Sequence, residues 1–274
     1  MTADGPPERP SAGLAARAAA GWNGFWSRLE GPELDAPPWH SHYLTSRLIP
    51  PVMRRLGGHL QGRVLDIGAG TGYARRFLDP STTYVPTDLP SGRDAEDPSI
   101  AARGERPRVL CSGYDLPFRE GSFEGATVLM VLEHAERPDR ILAEAFRVLA
   151  PGGRLMVSVP FAFPVHGFPH DFRRWTAAGL GVELERAGFR VVETASIGGF
   201  VATLVLNWGF SVRFHAAARP RHRAVPHLVS AIAPLRLLGQ LVANGVALAL
   251  GPLDRSEALP LAVAAVGEKP AAAD

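Results

Sequence analysis

From residue 61 onward, short apolar runs closing on Gly or Asp alternate with segments whose apolar residues recur every three or four positions. That alternation is the rhythm of βαβ units built on a parallel sheet. Strands are predicted at Arg63 to Ile67, Thr83 to Thr87, Arg108 to Cys111, Ala126 to Val131 and Arg154 to Val159. The clearest helix runs from Pro138 to Leu149, with Pro138 suited to the first turn and Gly152 just beyond the end. A helix over Ala177 to Ala187 leads to a sixth strand, Phe189 to Val192, and LPLAVAAVGEK from Leu259 reads as the last. Between them, Phe200 to Leu253 leaves the rhythm and is strongly apolar, as expected of an insertion or cap.

Upstream, residues 1–13 are rich in Pro, Gly and Ala without periodicity, the composition of a disordered tail. Leu14, Ala18, Trp22, Phe25, Trp26 and Leu29 fall on one helical face, and a second helix is predicted after Pro51 through Val52, Met53, Leu56 and Leu60. The chain therefore divides into a tail (1–13), N-terminal helices (14–60), a core (61–199), a helical insertion (200–258) and a last core strand with its tail (259–274).

The first strand breaks into Gly68-Ala69-Gly70-Thr71-Gly72. Alternate glycines let the backbone turn tightly and approach a ligand without interference from Cβ. A dinucleotide fingerprint would need its third glycine one position later, where Tyr73 stands. Asp66 would repel a pyrophosphate but can accept hydrogen bonds from an ammonium, so the ligand should carry a cation at this end. Asp88, closing the second strand, is placed to accept both hydroxyls of a ribose. Together these features point to a nucleoside ligand, and an NAD dehydrogenase is the poorer alternative.

VLDIGAGTG at 64–72, TDLP at 87–90, DLPFREGSFEGATVLMVLEH at 115–134 and RVLAPGGRLMVSVPF at 147–161 resemble the successive motifs of class I S-adenosylmethionine-dependent methyltransferases of the type 11 kind. The resemblance implies a Rossmann-like α/β fold with a seven-stranded sheet in the order 3-2-1-4-5-7-6, only strand seven antiparallel. It implies S-adenosyl-L-methionine as cofactor, with Asp66, Gly68, Ala69, Gly70 and Gly72 along its methionine side, Asp88 on its ribose and Leu89 against adenine. Ser112 stands where the family often has an Asp, and Gly113, Tyr114 and Asp115 offer backbone contacts instead, Asp115 equally as a turn former.

Methyl transfer needs an aligned nucleophile and exclusion of water more than an elaborate catalytic group. His134, delivered by the fourth strand to the cofactor edge, is either a general base or a polar turn residue. His170 and Asp171, in the aromatic and charged loop Pro160 to Trp175, are either bases or loop structure. This loop is the expected acceptor site. No metal is expected, since the loop's two histidines and aspartate lack a convincing third and fourth ligand. HGFPHDFRRWT also resembles a bacterial subgroup that includes cell-envelope glycan methyltransferases, which implies a small-molecule or glycan acceptor methylated at a hydroxyl. A binding or assembly subunit that keeps the fold without catalysis remains the alternative.

Composition narrows the picture modestly. Lys and Arg total 29 against 27 Asp and Glu, so nothing argues for nucleic acid. Cys111 is the only cysteine, compatible with a reducing cytosol, and the first residues lack the pattern of a secretory signal, so a cytoplasmic protein is expected. Leu237 to Leu253 is free of charge but too short and too polar for a confident membrane span. Buried cap helices are the plainer reading; with Arg213, Arg219, Arg221 and Arg223 upstream, peripheral contact with an anionic membrane is the other.

Overall fold

In the computed structural model, residues 35–90, 107–167, 169–217, 233–254 and 256–271 are described. The predicted tail, the helix over 14–29, and Arg219, Arg221 and Arg223 lie outside them. The chain runs α1 (Tyr43–Gly57), β1 (Arg63–Ile67), β2 (Thr83–Asp88), β3 (Val109–Leu110), β4 (Phe123–Leu129), α2 (Pro138–Val148), β5 (Leu149–Pro160), α3 (Ala177–Arg186), β6 (Arg190–Ile197), α4 (Phe200–Ala217), α5 (Ala233–Leu250) and β7 (Ala262–Glu268). The sheet order is β3-β2-β1-β4-β5-β7-β6, with β7 antiparallel to both neighbours and every other pairing parallel, as the resemblance implied.

Strand alternation sorts the core onto two faces. Leu65, Ala126, Val128, Leu155, Val157, Val263 and Ala265 pack against Ile141, Leu142 and Ala145 of α2 and against Leu180 and Leu184 of α3. Val64, Met156, Ala264 and Val266 point the other way, toward Met53 and Leu56 of α1. Asp66, Thr127 and Ser158 share this second parity, which lays a polar row beneath α1 near the carboxyl ends of three adjacent strands.

Several elements depart from the predicted bounds. The second helix begins at Tyr43 and carries Pro50 and Pro51 within it. Proline costs a helix hydrogen bonds, but Leu44, Met53 and Leu56 are buried on one side, and this packing overrides local preference. The glycine loop leads only into a short 3-10 turn, Tyr73–Phe77, fixed by burial of Ala74 and Phe77. Strand β6 extends to Ile197 through Glu193, Thr194 and Ser196, polar positions tolerated because it is an edge strand.

Between β6 and β7 the helices α4 and α5 pack together; Leu206 and Phe210 reach Leu261, and Ala202 and Ala247 reach Leu44. Their outer surface is apolar: Leu235, Leu238, Val242 and Val246 recur at helical spacing and are all exposed, with Leu204 and Trp208 exposed on α4. Among the described residues no helix is long and apolar enough to cross a membrane.

Leu155, fully buried at the centre of the sheet, offers a check on the core. Leu155→Ala is expected to lower the unfolding free energy by about 2–5 kcal/mol in urea titration, the range for truncating a buried Leu.

Candidate active site

A cavity of about 400 Å³ opens at the carboxyl ends of the strands, between the glycine loop and α1. Asp66, Gly68, Ala69 and Gly70 line one side, and Met130, Ser158, Phe163 and His166 the other, with Ile49 and Met53 of α1 across from them. Gly68, Gly70 and Gly72 have φ of 74°, 52° and 75°, a region open to glycine at little cost. At Gly68 space is a second reason: a Cβ would sit 2.6 Å from a methyl of Val131. Met130 also adopts a positive φ, 55°, at the cavity wall, and non-glycine backbone in this region is often found at functional sites.

Asp66 is the floor of this cavity. Its Oδ1 accepts a hydrogen bond from Thr127 Oγ1 at 2.6 Å and its Oδ2 one from the Tyr84 hydroxyl at 2.5 Å, while Thr87 Oγ1 donates to its carbonyl at 2.9 Å. Burial pushes its carboxyl up to about 6, against the pull of Thr127 and then Tyr84. The carboxylate is thus held by strands on both sides, and each oxygen retains lone-pair capacity toward the cavity. The loop above is held by the end of β2: Gly68 N and Ala69 N donate to the Thr87 carbonyl at 3.0 and 2.8 Å. Gly70 N donates to Asp88 Oδ2 at 2.7 Å.

The remaining predicted cofactor residues form a shelf beside the cavity. Asp88 does not line the cavity itself; its Oδ1 accepts from Leu89 N at 2.7 Å, so both oxygens presently serve backbone amides. Leu89 is half exposed. Ser112 pairs with Asp115 in an isolated bridge, which bends the chain so that Gly113 lies against Ile67, where a Cβ would sit 3.0 Å from the Ile67 side chain.

The loop after β5 folds back onto the end of β4. Phe172 N donates to the Glu133 carbonyl at 2.8 Å, Arg173 Nη1 donates to the Ala135 carbonyl at 2.8 Å, and the His134 ring nitrogen Nδ1 meets the His170 carbonyl. Asp171 is buried in a bidentate pair with Arg174, and accepts from His166 N at 2.9 Å. The hydrogen bonds from Arg174 hold its carboxyl well below the usual carboxylate range. Of the two expected roles, base or loop structure, its pairing with Arg174 and His166 N favours loop structure. His170 is exposed and contributes its carbonyl where its ring was expected.

Two residues not named among the candidate bases, His166 and Glu133, come together with His134. His166 lines the cavity and its ring meets that of His134 edge to face at 4.7 Å. Burial moves the His166 imidazole below its usual value, so it stays neutral and basic near pH 7. Glu133 is fully buried, and neither of its oxygens accepts a hydrogen bond from another group. Burial drives its carboxyl up to about 8, offset only in part by its own backbone amide and Arg174. In sequence only the paired Glu133-His134 hinted at this, because the contact with His166 depends on how the later loop folds.

A seven-stranded sheet of this order, with a glycine loop over a buried Asp66 and an acidic residue closing β2, is similar to class I S-adenosylmethionine-dependent methyltransferase domains. Residues 65–157 match the family described as "Methyltransferase domain". A probable S-adenosylmethionine-dependent methyltransferase of Mycolicibacterium smegmatis is 31% identical over 176 residues, 59% of this chain and 66% of that protein. An uncharacterized protein of Methanocaldococcus jannaschii is 34% identical over 99 residues, 36% of this chain and 45% of its own length. The chain thus spans about half to just under two thirds of these relatives. The crystal structure of the cyclase SpnF superposes with a TM-score of 0.51 at 19% identity, covering 81% of this chain and 80% of that one, a likeness of fold alone.

The buried Asp66 has a pH signature. With its folded value near 6 against an ordinary 3.8, the folded chain keeps a proton that the unfolded chain has lost in that window, so stability falls as pH rises through it and is level above. The size is about 3 kcal/mol. Urea denaturation across this range should show Asp66→Asn gaining on the wild type as pH rises; a pH-independent difference would contradict the assignment.

Proposed function

We propose that this chain transfers a methyl group from S-adenosylmethionine to a hydroxyl of a small-molecule or glycan acceptor. The observation that carries the reading is one continuous cavity, with the carboxylate and glycines of the cofactor loop on one wall and Ser158, Phe163 and His166 on the other. When bound, the cofactor supplies a sulfonium-activated methyl carbon. Asp66 would hold its ammonium, the glycine loop its amino-acid portion, Asp88 the ribose hydroxyls and Leu89 the adenine. The apolar walls from Ile49, Met53, Phe77 and Leu261 exclude water and hold the acceptor in line, which contributes much of the rate in such reactions. His166 lines this cavity with the His134 ring against it, and these side chains would assist loss of the acceptor's proton.

A second reading concerns location. The exposed apolar stripe on α5, with Leu253 beyond it, supports peripheral attachment to an anionic membrane surface. Sedimentation with acidic liposomes should carry the protein down at low salt and release it at high salt; no sedimentation at low salt excludes the attachment.

Calorimetric titration with S-adenosylmethionine tests the cofactor assignment. Binding should weaken by about tenfold or more in Asp88→Ala, as expected for losing a charged hydrogen-bonding group. It should also weaken as pH falls below about 6, where Asp66 gains a proton and no longer attracts the ammonium. Binding without turnover of labelled cofactor on native host extract would favour a non-catalytic subunit.

A further inference from the structure

Three lone-pair-bearing atoms converge beside the cavity where the loop after β5 meets the end of β4. His134 Nε2 lies 3.8 Å and His166 Nε2 4.0 Å from Glu133 Oε1, and one donor atom from each of the three residues can be chosen so that all lie within 4.8 Å of one another. The hydrogen bonds around them fix what each atom offers. His134 Nδ1 faces the His170 carbonyl and His166 Nδ1 the Pro164 carbonyl at 3.2 Å; a carbonyl only accepts, so each ring carries its hydrogen on Nδ1 and leaves Nε2 bare. Glu133 adds a completely buried carboxyl without a hydrogen-bond donor from any other group. Three acceptors facing one another with no donor among them are unfavourable unless a cation or protons join them.

We propose that Glu133, His134 and His166 bind one divalent transition-metal ion. Two imidazoles and one carboxylate are a donor set suited to zinc, iron(II), manganese or cobalt, whereas magnesium and calcium favour oxygen ligands throughout. Tetrahedral ligands at about 2.1 Å from a metal lie about 3.4 Å apart, so the 3.8 and 4.0 Å separations close on an ion with side-chain shifts of about half an ångström. Backbone carbonyls holding the second nitrogen of each histidine are the usual support for such ligands. Asp171 strengthens this support by holding His166 N, and is itself committed to Arg174. The loop histidine and aspartate singled out in sequence, His170 and Asp171, are not the ligands; the carboxylate comes from β4's end. Because His166 also lines the cavity, open positions on the ion would face the acceptor, where a bound hydroxyl would lose its proton more readily. That last role rests on the methyl-transfer reading; the site itself does not.

Metal-stripped full-length protein titrated with zinc by calorimetry should bind one ion per chain. Affinity should fall by about tenfold or more in Glu133→Gln and in His166→Ala and stay unchanged in His170→Ala. Cobalt(II) in place of zinc should give visible absorption bands that Glu133→Gln alters. Circular dichroism identifies any variant that fails to fold, and His134→Gln then replaces it. Absence of one-to-one binding, or equal affinity in wild type and Glu133→Gln, overturns the proposal. S-adenosylmethionine titrated into the same samples separates the two readings: a chain that binds the cofactor but no zinc loses only the metal site, and the converse loses only the cofactor assignment.

Discussion

The carboxylate of Asp66 is the contact on which the site depends. It sits on β1, takes a hydroxyl from Tyr84 on β2 and another from Thr127 on β4, and so ties three parallel strands together where the glycine loop departs. A buried carboxyl is costly unless hydrogen-bonded, and these two donors are what make its position tolerable. The loop is then fixed from the next strand by Thr87 and Asp88. Glycine loop and sheet are therefore one hydrogen-bonded unit.

The core was largely legible from the residues because each signal was local. A buried strand running into alternate glycines, an acid closing the next strand, and the Pro138 helix start each declare themselves within a few positions. Asp66 is singled out by its place before the glycines, whereas its Tyr84 and Thr127 partners come from separate strands and carry no local signal. What escaped was decided by tertiary packing. Pro50 and Pro51 argue against a helix that burial of Leu44, Met53 and Leu56 nonetheless enforces. Glu193, Thr194 and Ser196 hide the second half of an edge strand expected only as far as Val192. His166 looks no different from His170 in sequence; only the folded loop turns one ring into the cavity and the other outward.

The same comparison shows where fold stops informing chemistry. The sheet and loop are common to proteins with different reactions, so the acceptor must be argued from the wall opposite the glycines. On this wall Arg174 clamps Asp171, Asp171 holds the backbone of His166, and the loop is sewn to the residues flanking His134. The rigidity of this wall thus comes from a chain of paired charges and carbonyl contacts, in contrast to the strand-borne rigidity of the glycine-loop wall.

Strand β7 occupies an interior slot between β5 and β6, yet it is synthesised after both and after α4 and α5. During translation the nascent sheet must hold a gap open, or leave β6 undocked, until the ribosome has passed residue 268. Two strand edges rich in apolar residues stay unpaired for that interval, the condition under which partly made chains stick to one another. The length of the α4 and α5 segment therefore sets how long that opening persists.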